Sequence, residues 1–239
     1  MLSQANQPLW GYLGILVSAA LLVALLCFSI NAIIDPLWHF RGNLITGVNY
    51  AFNERTAKMI RFLPRMADYD CVLIGSSHTA LLHERRITGH RCFNFGFSHG
   101  RVREFLAYAR YIHARGFRPS LIVVNVDLYD FQDPPDALMV PDFIRTGDDP
   151  PSVLRMYLSL DALNFSIRTL RGAFPNHLVY DSEAQMHIIP KTHSYRPPRH
   201  LAPNANPLPF HSELVASFAE LRQVFSEAQA IGWVPPISA

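Results

Sequence analysis

Charge is missing from the amino-terminal part of this sequence. Residues 1–34 contain no Asp, Glu, Lys or Arg. Over all 239 residues, 21 Lys and Arg stand against 19 Asp and Glu, and no basic run occurs. A chain without a basic patch lacks the electrostatic footprint of a nucleic-acid binder, so we expect no nucleic-acid partner. With 49% hydrophobic residues, the chain is also too apolar to be disordered over most of its length.

Motifs for cofactors and metals are absent as well. The sequence contains neither a Gly-x-Gly-x-x-Gly pattern nor a P-loop, so a nucleotide cofactor has no support. The 11 histidines are scattered, and His83-Glu84 lacks the second histidine of a His-Glu-x-x-His site. We therefore predict no cofactor and no metal.

Cysteines are scarce. Cys27, Cys71 and Cys92 are too few for a disulfide framework, and no Cys-x-x-Cys pair occurs. Each of the three lies in or at the start of an apolar run, where a thiol behaves as a small hydrophobic side chain. The expectation is that all three are buried free thiols, which leaves the redox compartment undecided.

An apolar segment occupies the part of the chain that lacks charge. Gly11 to Ile30 gives 20 residues, enough at about 1.5 Å per residue to cross a hydrocarbon core of about 30 Å. Trp10 and Trp38 flank it, as amphipathic rings do at a membrane interface. A cleaved signal peptide would have a basic start and a shorter apolar run. We predict a tail at 1–10, then an uncleaved single-pass anchor at 11–34 with the lipid bilayer as its partner.

The orientation of this anchor stays open at the level of composition. No Lys or Arg precedes the apolar segment, and five follow it: Arg41, Arg55, Lys58, Arg61 and Arg65. The positive-inside rule, taken alone, places the rest of the chain in the cytoplasm. The rule is weak here because one flank has only ten residues and the other is a folded domain.

The remainder of the chain has the pattern of an α/β domain at 70–239, preceded by a linker and helix at 35–69. Short apolar runs predict strands at 70–75, 91–95 and 121–126. Apolar periodicity predicts helices at 51–63, 79–86, 99–115, 152–171 and 212–230. Alternation of this kind favours a parallel sheet with right-handed crossovers.

Three stretches carry further expectations. Residues 133–151 are rich in Pro and Asp and are predicted to be a long loop, and 172–210 show no period and are predicted to be irregular. The core stripe predicted for the 152–171 helix is Val153, Tyr157, Leu160, Leu163, Ile167 and Leu170. After the last helix, the chain is expected to stop just as a further strand begins.

The turn after the first predicted strand carries the most informative motif. In an open α/β sheet, ligands bind beyond the carboxyl ends of the strands, which is where Ser77 lies. A serine at the start of a helix has unpaired backbone N–H groups nearby, and these can hold an oxyanion while the hydroxyl attacks an acyl carbon. A purely structural interpretation is that Gly75 makes the turn and a serine or Thr79 caps the helix.

Two blocks of sequence resemble those of the SGNH (GDSL-type) hydrolases. Gly75-Ser76-Ser77 is similar to the first block, in the Gly-Ser-Ser variant typical of membrane-tethered proteins of envelope polysaccharide modification. The segment Asn94 to Gly100, Asn-Phe-Gly-Phe-Ser-His-Gly, is similar to the second block. Upstream, Phe52-Asn-Glu-Arg55 and Lys58 also resemble those tethered relatives.

The resemblance implies a flavodoxin-like, three-layer domain with a parallel sheet. It implies that Ser77 is the nucleophile and that the backbone N–H groups of Ser77 and Gly96 are oxyanion donors. The implied activity is that of an esterase or O-acyltransferase acting on a cell-envelope glycan. The implied location is the bacterial inner membrane, with the domain in the periplasm.

The sequence departs from this family at two later blocks. The third block, Gly-x-Asn-Asp, is absent, and Asn125 or Asp127 are its candidate substitutes, with Asp130 close by. The fourth, Asp-x-x-His, which supplies the general base, is also absent. The general base is therefore unassigned, and the chain is expected to be truncated or inactive.

Other histidines remain candidates for the base, because triads are recognised by geometry and not by order. His78 and His99 lie nearest the motif in sequence, whereas the following lie in the irregular region, with Asp181 close by: His187, His193, His200 and His211. A non-catalytic membrane-tethered scaffold or relic is the alternative function.

Overall fold

The computed structural model describes residues 7–50, 53–127, 131, 139–172, 178–181, 184–188 and 211–235. Its α-helices are α1 Gln7–Ile34, α2 Glu54–Phe62, α3 Ser77–Ala80, α4 Val102–Ala114, α5 Asp142–Thr146, α6 Val153–Tyr157, α7 Leu160–Leu170 and α8 Val215–Val224. Its strands are β1 Val48–Tyr50, β2 Cys71–Gly75, β3 Cys92–Gly96, β4 Leu121–Asn125, β5 Leu178–Asp181, β6 Met186–Ile188 and β7 Gln229–Trp233. Short 3-10 helices occur at Leu63–Asp68, Glu84–Arg86 and Ser212–Leu214.

Helix α1 contains an apolar segment, Trp10–Ile34, that is long and apolar enough to cross a membrane. The helix ends where the Asp35 carboxylate accepts the backbone N–H groups of three following residues, at 2.7 to 2.9 Å. The chain then folds directly into the domain. Trp38, expected at a membrane interface, instead lies buried with its ring 4.8 Å from that of Tyr180.

The main sheet has four parallel strands in the order β3-β2-β4-β7. Every residue of β2, β3 and β4 is buried, as expected of short apolar runs covered on both faces. Helices α2, α4 and α8 contribute to the larger core on one face, where Phe62 and Phe105 are fully buried. The predicted parallel α/β arrangement is confirmed.

The last strand differs from expectation. Helix α8 ends at Val224, and Gln229–Trp233 pairs along its full length with β4, where the pattern had predicted helix up to Ala230. Pairing with a neighbouring strand overrides local propensity in so short a segment. The strand is therefore formed and not merely begun, although most of its side chains are exposed at the sheet edge.

The predicted helix 152–171 is two helices, because Ser159 ends α6 and caps α7 by accepting the N–H of Ala162 at 3.1 Å. The predicted core stripe is also wrong in α7, where Leu160 is 80% exposed and Leu170 is 47% exposed. The buried side chains of α7 are the small ones, Ala162, Ser166 and Thr169. Small side chains bring α7 close to α1, and the larger apolar ones consequently face outward.

A second, antiparallel sheet has the strand order β1-β5-β6. Two of its strands lie within residues 172–210, predicted to be irregular, and helix α5 lies within the predicted loop 133–151. Strands of three or four residues carry too little periodicity to be seen in a sequence. Within these two stretches, residues 133–138, 173–177, 182–183 and 189–210 fall outside the described residues.

Cys71 and Cys92 form a disulfide, so the prediction of free thiols is wrong for both. They are directly opposite each other in the β2–β3 register. Only that register brings two cysteines 21 residues apart into contact. Cys27 is free and buried, as predicted.

Candidate functional site

The candidate site lies at the carboxyl ends of β2 and β4. The chain runs from β2 to β3 on one side of the sheet and then crosses to β4 on the other, so these two strands form the topological switch point where open α/β sheets bind ligands. Ser76 and Ser77 follow β2, while Asn125 ends β4 and Asp127 lies two residues further on. The predicted nucleophile and both candidate substitutes for the third block are thus at one edge.

Two glycines allow the elements of this edge to approach. A Cβ on Gly75 would lie 2.1 Å from Thr79 Oγ1 and 2.5 Å from Asn125 Cβ. A Cβ on Gly96 would lie 2.2 Å from the backbone nitrogen of Ala80. Both glycines are therefore required for α3 to pack against the ends of the strands.

Ser76 occupies the N-cap position of α3, but its side chain makes no cap hydrogen bond. Its hydroxyl instead donates to Asn125 Oδ1 at 2.7 Å, and its backbone N–H approaches the same oxygen at 3.3 Å. The Asn125 side chain is fully buried, and its Nδ2 has no partner within the described part of the chain. Simple helix capping therefore does not account for Ser76.

His78 and Asp127 form a pair beside this serine. His78 Nδ1 lies 3.1 Å from Asp127 Oδ2 and 3.4 Å from Ser76 Oγ. Since the Ser76 proton is directed to Asn125, the consistent assignment is that His78 Nδ1–H donates to the carboxylate. The other ring nitrogen, Nε2, is then unprotonated and able to accept a proton. The Asp127 side chain is 10% exposed and that of His78 is 48% exposed, so the pair links the sheet edge to the surface.

Ser77 is the first residue of α3 and is half-buried. Among the described residues, none forms a hydrogen bond with its hydroxyl. Adjacent side chains on a helix do not face each other, so Ser77 and His78 are neighbours in sequence without direct contact. The Ser77 hydroxyl is nevertheless partly accessible, whereas Ser76 is only 8% exposed.

The Gly96 backbone N–H, an oxyanion donor by resemblance, donates to Asn94 Oδ1 at 2.8 Å. The amide nitrogen of Asn94 in turn donates to the carbonyl oxygens of Thr79 and Leu82, at 2.8 and 2.9 Å. Asn94 thus ties β3 to α3 and engages the Gly96 donor. An acyl group bound at this edge would have to compete with the Asn94 side chain for that N–H.

A buried charged cluster holds the loop after β3. Arg55 donates to both carboxylate oxygens of Glu104 and, at 3.1 Å, to the Ser98 carbonyl. Glu54 accepts the Ser98 backbone N–H and the Tyr180 hydroxyl. The segment around residues 53–58, which resembles that of tethered relatives, therefore holds the second block in place through hydrogen bonds to the Ser98 backbone.

Lys58 completes this cluster. Its side chain is fully buried, and Nζ donates to the Gly96 carbonyl at 2.6 Å while lying 5.4 Å from the centre of the Tyr180 ring. Desolvation lowers the Lys58 pKa to about 8, against the opposing attraction of Glu54. Burial likewise raises the pKa of Glu104 above its usual value.

The other candidate histidines lie elsewhere. His99 is exposed on the loop after β3 with a φ of 54°, and His187 on β6 pairs with Asp181 at 2.9 Å. His211 lies just before α8, where its backbone N–H donates to the carbonyl of residue 131. Asp130, His193 and His200 fall outside the described residues.

Sequence reasoning missed the pairing of His78 with Asp127. The available signal was that each follows a buried strand by two or three residues, on strands that turn out to be neighbours. The carboxyl ends of neighbouring parallel strands meet at one edge, so polar residues directly after such strands are candidates to meet.

Comparison of the chain with protein-family models, curated proteins and solved structures gives no match. What the site can do is therefore inferred from its own residues.

Proposed function

We propose that this chain is a membrane-anchored acyl hydrolase or O-acyltransferase of the SGNH type, with Ser77 as its nucleophile. The observation that carries the proposal is the His78–Asp127 pair at the switch point, beside the Gly75-Ser76-Ser77 turn. A histidine oriented by a carboxylate next to a serine at a strand-to-helix turn is the arrangement that activates a hydroxyl for acyl transfer.

The proposed reaction has two steps. Ser77 Oγ attacks the acyl carbonyl carbon, its proton passes to His78 Nε2 through one bridging water, and the leaving alcohol takes that proton as the ester bond breaks. Water or a glycan hydroxyl then attacks the acyl-enzyme, with His78 acting again as base and Ser77 regaining its proton. Asp127 stabilises the imidazolium in both steps.

The strand order supports the proposed fold. Numbered within the parallel sheet, the order is 2-1-3-4, which is how a flavodoxin-like sheet begins. Ser77 and Gly96 lie at the carboxyl edge, where the resemblance implies that they act. A cell-envelope glycan as acyl acceptor rests on the resemblance alone.

The disulfide supports a location outside the cytoplasm, since structural disulfides persist in oxidising compartments. The basic residues after α1 favour a cytoplasmic domain by the positive-inside rule, but two of them are held within the folded domain. Arg55 is paired with Glu104, and Lys58 is buried. Charges held inside a folded domain are not the short-loop charges that the positive-inside rule counts.

A serine-reactive fluorophosphonate probe tests the proposal on the full chain in mild detergent. We expect labelling of the wild type and none of Ser77→Ala. Asp127→Asn should slow labelling about 10²-fold or more because the base loses its orienting charge. Ser76→Ala is the matched control, and it should keep most of the labelling. Equal labelling of wild type and Ser77→Ala would refute Ser77 as nucleophile.

A non-catalytic membrane-tethered scaffold is the second candidate function. It is favoured by the engagement of the Gly96 N–H with Asn94, which leaves one proposed oxyanion donor occupied. If the scaffold function is correct, neither the wild type nor any of these variants reacts with the probe, while all of them unfold at similar temperatures.

A further inference from the structure

Helices α6 and α7, together with the turn between them, expose a row of large apolar side chains to the outside of the molecule. The members of this row are Leu154, Leu158, Leu160, Ile167 and Leu170. Three of them, at positions 160, 167 and 170, share one face of α7, because residues seven and ten apart on a helix lie along the same side. Leu160 is the most exposed of the row at 80%.

The opposite side of this helix pair is docked on α1. Ser166 Oγ donates to Asn31 Oδ1 at 2.8 Å, and Asn31 Nδ2 donates to the Tyr157 carbonyl at 2.8 Å. The Cys27 thiol approaches the same carbonyl at 3.9 Å. All three contacts are buried and fix α6 and α7 against the last turns of α1.

These contacts set the height of the helix pair along α1. Cys27 and Asn31 precede Ile34, the end of the apolar segment, by seven and three residues, or about 10 and 5 Å at 1.5 Å per residue. The segment Trp10–Ile34 has 25 residues, roughly 37 Å, against a hydrocarbon core of about 30 Å. When the segment is centred in that core, about 4 Å of helix projects at each end, so the docking contacts fall at or just inside the boundary of the core, and not above it.

The arginines of α6 and α7 and a neighbouring apolar loop also fit a position at the membrane boundary. Between residues 153 and 171 there are three arginines, at 155, 168 and 171, and one aspartate. Basic residues beside an exposed apolar stripe are typical of helices that lie in a membrane interface. Leu44 and Ile45 are also exposed, on a loop whose Leu44 N–H donates to the Ile33 carbonyl at the end of α1.

We propose that α6 and α7 lie in the interfacial layer of the bilayer, with the apolar side chains of Leu160, Ile167 and Leu170 among the upper acyl segments. Arg155 and Arg171 then contact anionic headgroups. The occupant of this surface is lipid, because α7 is docked directly on the apolar helix α1 at the depth of the hydrocarbon boundary. The inference rests on the proposed membrane anchor.

The test uses the full chain in vesicles of phosphatidylcholine and phosphatidylglycerol, with an environment-sensitive fluorophore on an introduced cysteine. Leu160→Cys reports on the proposed contact and Leu22→Cys reports on the anchor. Val215→Cys is the matched control, because it is an exposed apolar residue on α8, a helix that packs on α4. The unsubstituted chain, with Cys27 buried and the other two cysteines in a disulfide, measures background labelling.

Lipids carrying a doxyl quencher near the headgroup end of the acyl chain separate the outcomes. We expect at least twofold quenching at Leu160 and quenching within 10% of background at Val215. Quenching at Leu22 by a deep doxyl lipid, with none at Leu160, would overturn the interfacial contact alone. No quenching at Leu22 would overturn the anchor itself. Emission from Leu160 that depends on protein density and not on quencher lipid would assign the surface to a second copy and refute the lipid contact.

Discussion

Burying Lys58 makes the stability of this protein depend on pH in an unusual direction. The Lys58 pKa is lowered from 10.5 to about 8 by desolvation, and the side chain is completely buried. Above pH 8 the native state releases this proton, whereas the unfolded chain keeps it up to pH 10.5. The unfolded state therefore binds more protons in this window, so stability rises with pH. The contribution is fully present above the unfolded pKa and is lost as pH falls through the folded one.

The size of the effect follows from the shift. Each unit of pKa difference corresponds to about 1.4 kcal/mol. Integrating the proton linkage between pH 7.5 and 9.0, with pKa values of about 8 and 10.5, gives about 1 kcal/mol of added stability. For a chain of this size, that amounts to a rise of about 2–4 °C in Tm. Above pH 10 the gain is offset, because burial raises the pKa values of Tyr108 and Tyr180 and these residues ionise only after unfolding.

Thermal unfolding of the full chain in a mild nonionic detergent, followed by intrinsic fluorescence at half-unit pH steps, measures this slope. Lys58→Met is the comparison, because it keeps the length of the side chain and removes its titration. We expect the wild-type Tm to rise between pH 7.5 and 9.0 and the variant Tm to stay flat. A wild-type Tm that falls across this range, or a variant that rises in parallel, would refute the assignment of a buried Lys58 amine.

Three further changes test the packing. Removing the β2–β3 disulfide with Cys71→Ala and Cys92→Ala together should cost about 3 kcal/mol, from the loop entropy of 21 residues, as read from denaturant unfolding without reductant; an unchanged midpoint would mean that the bond does not form. Gly96→Ala should destabilise by about 1–3 kcal/mol or prevent folding, since its Cβ would meet the backbone of α3, whereas Gly232→Ala should be tolerated because its Cβ would meet only Val126 Cγ2, at 4.0 Å. Asn31→Leu should cost about 2 kcal/mol by leaving the two groups of α6 and α7 that it bonds unsatisfied. Combining Asn31→Leu with Ser166→Ala should recover part of that loss in stability, because the serine hydroxyl left without a partner is removed. If the two losses in this double-mutant cycle are simply additive, the two side chains do not interact.

The parts of the fold that the sequence predicts are those where one segment determines its own structure. The runs at 71–75, 92–96 and 121–125 are almost entirely apolar, with only Asn94 and Asn125 as polar members, so a buried strand is the short element that suits them. Parallel pairing then follows from the helices between them. The carboxyl edge, with Ser77 and the residues after β4, could be located for the same reason.

The parts that escaped prediction depend on distant partners. The disulfide requires the β2–β3 register, and the His78–Asp127 pair requires β2 and β4 to be neighbours. The predicted apolar stripe of α7 faces outward because of contacts with α1. Helix α1 packs against the small side chain of Ser166, which leaves Leu160 exposed. A stripe of apolar residues marks a surface that avoids water, but it does not say whether protein or lipid covers that surface.

The way Asp35 closes α1 has a mechanical consequence. A flexible tether of n residues lets a domain wander by about 5–6 Å times the square root of n. Here the carboxylate of Asp35 binds three N–H groups of the next turn as well as the Tyr157 hydroxyl, so the helix passes into the domain with no free joint. Anchored in a bilayer, such a molecule would carry its carboxyl edge at one fixed elevation and tilt. Its reach would be a thin shell parallel to the membrane, and only chemical groups presented within that shell would meet Ser77.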